Sequence, residues 1–206
     1  MLVVLLLVPV AYMIGTFPTA SLVARARGRD VDQEGSGNPG ASNVTRLIGW
    51  QAGLLVFLAD GAKGAMPAAV GLVLDGHRGA FVLGAAAMLG HIFPVTRRFR
   101  GGRGVATAAG VTLVIFPFIT AVLAIVWLAL ARLLGKASVA SLVVVVAFPV
   151  LVAVFSSAGD VITTAVLAAL IVIRHTPNLR RLIRREETGL GGPAPGTVGG
   201  EGEAGP

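Results

Sequence analysis

The 206-residue chain has no cysteine, which excludes disulfides, thiolate zinc sites and a cysteine nucleophile. Charge is scarce as well. Charged residues make up 13% of the chain against 55% hydrophobic, and the mean hydropathy of +0.84 is wrong for an ordinary soluble protein. No basic residue precedes the opening apolar run, MLVVLLLVPVAYMIG, so the start fits a retained transmembrane helix rather than a cleaved signal peptide. No repeat of fixed period is detectable, which weakens the case for an inverted-repeat transporter. Acidic residues are few, 10 against 17 Lys and Arg, for a net charge of +7. The arginines nevertheless lie between apolar spans and not on an amphipathic or aromatic-rich surface, so nucleic acid is not the partner. The remaining class is an all-α polytopic membrane protein.

A transmembrane helix needs roughly 20 mostly apolar residues, and about 17 are tolerable. That criterion places spans near 2–24, 51–74, 79–95, 105–117, 118–134, 139–156 and 159–173. The fourth is short, and Pro117 separates it from the fifth, so it reads as a tilted, short or partly re-entrant segment. With seven alternating spans, 15 of the 17 basic residues fall on one side, leaving Arg78 opposite and Lys63 inside a span. By the positive-inside rule that side is cytoplasmic, the amino terminus is outside and the carboxyl terminus inside. Residues 1–188 read as a single membrane-embedded domain. The Gly/Pro/Glu-rich stretch 189–206 reads as a disordered cytoplasmic tail.

Polar groups inside or beside these spans mark function, because they are costly against lipid. Asp60 and Lys63 stand three apart on one helical face, either as a structural ion pair or as part of a site. His91 lies near the end of the third span, and His175 and Asn178 lie at the end of the seventh. In FRGGRGVAT, residues 99–107, Gly101, Gly102 and Gly104 surround Arg100 and Arg103 just before a helix. Close-approaching amides, a helix start and arginine forks together suit a phosphate. A topogenic turn touching anionic lipid is the alternative. The pattern is not a nucleotide-binding GxxxxGK[ST] loop, and no strand precedes it. GSGNPGASNV, residues 35–44, offers neutral donors from Ser36, Asn38, Ser42 and Asn43, with Gly35, Gly37 and Gly40 freeing the backbone. Taken alone it is a connecting loop. RHTPNLRRL, residues 174–182, adds an imidazole and an amide beside more arginines. All three blocks fall on the cytoplasmic side, and one shared anion site accounts for them economically.

These blocks resemble, in order, those of the bacterial acyl-phosphate:glycerol-3-phosphate acyltransferases, integral membrane enzymes that begin phospholipid synthesis. GSGNPGASNVTR at 35–46, ADGAKG at 59–64, GHIFPVTRRFRGGRGVAT at 90–107, and SVAS at 138–141 with RHTPNLRRL carry the resemblance, which runs from about Gly15 to Glu187. It implies seven helices and transfer of a fatty acyl group from acyl phosphate to the 1-hydroxyl of glycerol 3-phosphate, releasing phosphate. It implies no cofactor and no metal, and neither acyl-CoA nor acyl carrier protein as donor. Carried over by motif, Ser36, Arg103, His175 and Asn178 are the catalytic positions. Gly37, Asn38, Gly40, Asn43, Arg46, Gly101, Gly102, Gly104 and Ser141 bind substrate, while Asp60, Lys63 and His91 support. Two departures stand out: Arg100 and Arg103 replace the family's usual lysines, and Pro177 precedes Asn178. Arginine keeps the charge and grips phosphate with two donors, but it is not an equivalent point charge.

An acyl phosphate is a mixed anhydride with a good leaving group, so direct attack suffices and catalysis reduces to positioning and electrostatics. Either His175 or the donor's own phosphate oxygen takes the hydroxyl proton. The rival readings are a small transporter or channel for an organic phosphate and a noncatalytic lipid-phosphate binder. Clustering of the polar blocks at one face argues against a transport path.

Overall fold

The computed structural model describes residues 1–190, and within them every regular element is helical. The first apolar unit is bent: α1 (Leu2–Gly15) and α2 (Thr19–Arg25) meet at Phe17 and Pro18, where the chain leaves helical geometry. After an irregular loop, α3 (Ala41–Ile48) leads through Gly49, at φ 116°, into α4 (Trp50–Ile92). This long helix is two arms. Asp75 and Gly76 leave helical geometry, with Gly76 at φ 61°, and the chain folds back so that Gly71 and Gly79 face each other without room for a Cβ. The second arm ends at Ile92, short of the expected 95, because Pro94 opens a 3-10 turn over Val95–Arg97.

Four helical stretches are long and apolar enough to cross a bilayer, and a fifth is added by the bent pair α8 (Ala158–Arg174) and α9 (Thr176–Ile183). One of the four is the bent unit of α1 and α2, and another is the hairpin of α4. The remaining two are α6 (Pro117–Leu134) and α7 (Ala137–Phe155). α5 (Val105–Ile115) has only 11 residues, about 16 Å at 1.5 Å per residue. It stops before Phe116 because the residue preceding a proline is driven out of helical geometry, and Pro117 then sits where helices accept it, in the first turn of α6.

Small residues let α5 lie close against α4: a Cβ on Gly110 would stand 1.9 Å from the Gly61 carbonyl oxygen, and one on Gly64 2.1 Å from that of Thr107. Such close approach is how helices associate where lipid removes the hydrophobic drive between them. The interior contains Met88, Ile92, Val111, Ile115, Phe116, Val152 and Ile171, whereas Val73, Phe118, Ile125 and Leu133 project outward as a belt suited to acyl chains.

Polar contacts gather the connecting segments at two ends. At one end the Met1 amino group lies 3.5 Å from Asp75, His77 lies 3.4 Å from Asp160, and the His77 and Phe116 rings touch edge to face. At the other, Arg97 pairs with Asp32, Arg174 bonds Gly101, Arg46 bonds Thr188, and the Leu190 amide donates to Gly135. Gly189 and Leu190, assigned to the tail by composition, are therefore tied into this end. The remainder of the expected tail lies outside the described residues.

Candidate active site

Asn43, at the start of α3, is 1% exposed, and its amide is used entirely to shape the loop before it. Its Oδ1 accepts from the Ser36 amide at 2.9 Å, and its Nδ2 donates to the carbonyls of Val31 and Glu34 at 3.2 and 3.1 Å. Gly35, at φ 62°, allows this: a Cβ there would stand 2.3 Å from Asn43 Oδ1. Glu34 fastens the loop's start through the Asp30 amide and Arg29, whose donors hold its carboxyl below the usual range. Asn43 thus builds the loop, while among the described residues the hydroxyl of Ser36 makes no hydrogen bond and is free for a ligand. Gly37 is left-handed, Gly40 caps α3, and Asn38 lies alongside Gly40.

The second block rests on a buried platform. Lys63 Nζ lies 2.7 Å from Asp60 Oδ1 and donates to the Phe17 carbonyl at 2.7 Å, at the break between α1 and α2. His91 stands 3.9 Å from the same carboxylate, and its carbonyl accepts from the Gly102 amide at 3.1 Å. The Asp60–Lys63 pair is thus buried next to the glycine loop, tied to the break between α1 and α2. A cavity of about 20 Å³, room for roughly one water, joins Pro39, Asp60, Lys63, His91, Gly101 and Gly102. The first two blocks meet there. From above, Arg174 donates to the carbonyls of Gly101 and Gly102 at 3.2 and 3.4 Å and spreads over the Phe93 ring at 5.4 Å. Gly101 and Gly102 are thus clamped, and Gly104, at φ 89°, turns the chain into α5.

Arg103 projects from this clamped loop, half-buried, and among the described residues it makes no hydrogen bond or ion pair. Burial pushes its guanidinium down to about 10, helped by the neighbouring charges of Arg181, Arg46 and Arg174 and opposed by Glu187, so it stays charged at neutral pH. Burial also lowers Arg46, which Glu187 opposes. Three cations crowded around one carboxylate leave an excess of positive charge, and Arg103 is the least compensated.

His175 caps α8 and is 2% exposed, with Nδ1 2.8 Å from the Ile171 carbonyl. A carbonyl only accepts, so Nδ1 carries the proton and Nε2 presents its lone pair. The charges of Arg103, Glu187 and Arg174 all reach this ring. Asn178, on α9, is 1% exposed and donates through Nδ2 to Glu187 Oε1 at 2.6 Å; Arg181 Nε holds Oε2 at 2.8 Å. Ser141, on α7, is buried and accepts from Trp127 Nε1 at 3.0 Å. Arg46 completes the group by donating to the carbonyls of Thr188 and Gly189 at 3.0 and 3.1 Å.

The fold therefore brings Arg46, Arg103, His175 and Asn178 to one end, as the sequence implies, and adds three residues that sequence reasoning did not single out. Arg174 clamps the loop, Arg181 balances charge, and Glu187 binds Asn178. Their only signal was the basic run closing the last span and the acidic pair that follows it.

A family model described as glycerol-3-phosphate acyltransferase matches residues 5–185. The chain belongs to the glycerol-3-phosphate acyltransferase family. The helices are thus those of an acyltransferase embedded in the membrane. The protein named glycerol-3-phosphate acyltransferase from Methylococcus capsulatus is 39% identical over 189 residues, 90% of this chain and 96% of that protein. The one from Geotalea daltonii is 41% identical over 175 residues, 84% and 90% of the respective chains. Among solved structures, PlsY (YgiH), an integral membrane glycerol 3-phosphate acyltransferase, superposes in its glycerol 3-phosphate form with a TM-score of 0.86 at 34% identity, covering 90% of this chain and 94% of that one. Its lysophosphatidic acid form gives a TM-score of 0.83.

Proposed function

We propose that this acyltransferase takes its acyl group from acyl phosphate and delivers it to the 1-hydroxyl of glycerol 3-phosphate, giving 1-acyl-sn-glycerol 3-phosphate and inorganic phosphate, the first step of phospholipid biosynthesis. The observation carrying this reading is Arg103, the least compensated of the clustered guanidiniums, half-buried on a clamped loop, with a neutral imidazole and an amide facing the same charge cluster. Two phosphate-bearing substrates repel each other, and a cluster of Arg46, Arg103 and Arg181 offsets that repulsion while the chain supplies orientation.

In this mechanism the Ser36 loop and Arg103 hold the acyl-phosphate phosphoryl group, and Arg46, Ser141, His175 and Asn178 hold glycerol 3-phosphate. The 1-hydroxyl oxygen attacks the acyl carbonyl carbon, the bond from that carbon to the phosphate oxygen breaks, and the departing phosphate takes the hydroxyl proton. His175, through Nε2, orients the hydroxyl. The mixed anhydride is reactive enough that no covalent enzyme intermediate, metal or cofactor enters, and neither acyl-CoA nor acyl carrier protein is the direct donor.

For placement in the membrane we propose seven traverses: α1 with α2, the two arms of α4, α5, α6, α7 and α8. The end bearing Arg46, Arg103 and Arg174 faces the cytoplasm of the inner membrane, with the amino terminus outside, because the basic residues collect there. Purified protein in detergent, given acyl phosphate and glycerol 3-phosphate, should release phosphate only when both are present. Vesicle uptake of the organic phosphate without release would support a transporter in its place.

A further inference from the structure

Glu187 follows α9 on a strap that folds back over the charge cluster. It is 7% exposed although it is a carboxylate beyond the last helix, and both its oxygens are used, Oε1 by Asn178 and Oε2 by Arg181. Its backbone neighbours are anchored as firmly: the Thr188 and Gly189 carbonyls take Arg46, and the Leu190 amide donates to Gly135 in the turn between α6 and α7. Burial alone would raise this carboxyl, but the hydrogen bonds from Arg181 and Asn178 outweigh it and hold the group below its ordinary value, so it is ionised at neutral pH.

An ionised carboxylate can only accept. Its partner on Asn178 must be the amide nitrogen, and the amide oxygen is turned the other way. That Oδ1 is buried and, among the described residues, has no donor. Such an oxygen is costly unless a ligand supplies a donor. Its surroundings supply a reason for one: Arg46, Arg103 and Arg181 offer donors only, which suit a phosphate, whereas the hydroxyls of a polyol phosphate need acceptors.

We propose that Glu187 is a positioning residue that fixes the amide of Asn178, so that Asn178 Oδ1 accepts a hydrogen bond from a hydroxyl of the acceptor substrate. The inference rests on the acyl-transfer reading above and deepens it, since it divides the site into a donor side for phosphate and an acceptor side, Asn178 Oδ1 with His175 Nε2, for the glycerol hydroxyls. A glutamine at 187 keeps its oxygen on Arg181, which only donates, and turns its NH2 toward Asn178, so the orientation that leaves Oδ1 free is no longer enforced.

The test is a swap. Glu187→Gln should lower kcat/KM for glycerol 3-phosphate on the order of 10-fold, with KM for acyl phosphate within about two-fold of wild type. Adding Asn178→Asp to that variant exchanges donor and acceptor: the glutamine amide now donates, net charge is restored, and an oxygen still faces the substrate. Activity should rise at least about five-fold above Glu187→Gln alone. A folded swap variant that is inactive and binds no glycerol 3-phosphate by calorimetry overturns the inference, because Asn178 would then be serving the phosphate as a donor. Should the swap not fold, Asn178→Ala decides. Less than about two-fold further loss of glycerol 3-phosphate affinity on adding Glu187→Gln supports action through Asn178, and a fully multiplicative loss overturns it. Wild-type protein that releases no phosphate faults the acyl-transfer reading, whereas wild-type turnover with a silent Glu187→Gln faults only this inference.

Discussion

Gly102→Ala tests whether the glycine loop that carries Arg103 is a flexible cradle or a clamped one. The added Cβ would stand 2.2 Å from His91 Nε2 and 2.8 Å from Cε1, where ordinary contact begins at 3.4 Å, a shortfall of about 1.2 Å. His91 cannot yield easily. It is 7% exposed, it sits beside the Asp60–Lys63 pair, and its own carbonyl holds the Gly102 amide. The loop must therefore move, and Arg103 is the next residue along it. Forcing a methyl group into a packed site costs about 1–3 kcal/mol. A displacement of about 1 Å at a positioning group can cost on the order of 10²-fold in rate. Phosphate release from acyl phosphate and glycerol 3-phosphate in detergent should thus fall by about that factor, while the thermal midpoint drops by only a few degrees. Gly159→Ala is the control, because its Cβ would meet the Ser157 hydroxyl at an ordinary 3.7 Å and the position lies at the opposite end; turnover should be unchanged. Wild-type turnover in Gly102→Ala would refute the clamped loop.

Arg103→Ala should abolish phosphate release almost completely while the protein still inserts and elutes as wild type, and near-normal turnover would remove Arg103 from the phosphate site. His175→Gln should keep most of its turnover while its affinity for glycerol 3-phosphate falls several-fold, measured by steady-state kinetics. A collapse of kcat on the order of 10³-fold would instead make His175 the general base. Lys63→Met leaves Asp60 buried without its partner, which costs about 3–5 kcal/mol in comparable cases, so folded yield and thermal midpoint should both drop. A stable, active Lys63→Met protein would show that Asp60 is relieved by some other group.

Long apolar runs made the helices legible, and Pro117 marked the α5–α6 junction because proline constrains the residue before it as well as its own amide. The Asp60–Lys63 pair was legible from helical spacing, and three polar blocks at one end followed from alternation of the spans. The direction in which side chains point was not legible. Asn43 sits in a motif that reads as ligand-binding, yet its amide is consumed by Ser36, Val31 and Glu34, a choice fixed by loop geometry that residue types do not encode. Gly101 and Gly102 read as a cradle but are pressed against His91. Glu187 was invisible because it meets Asn178 and Arg181 only once the strap after α9 folds back, and what holds the strap there is Arg46, distant in sequence from Thr188 and Gly189.

The shortness of α5 has a bearing on how an amphiphile and a water-soluble phosphate meet. A hydrocarbon core is about 30 Å thick and α5 spans about 16 Å, so in the traverse proposed above the shortfall of about 14 Å, shared between its two ends, sets Arg103 about 7 Å inside its boundary. In that placement the proposed reaction centre lies at the depth of the upper acyl methylenes. A fatty donor can present its carbonyl there without being lifted out of the leaflet, and the small polar acceptor makes the vertical journey instead.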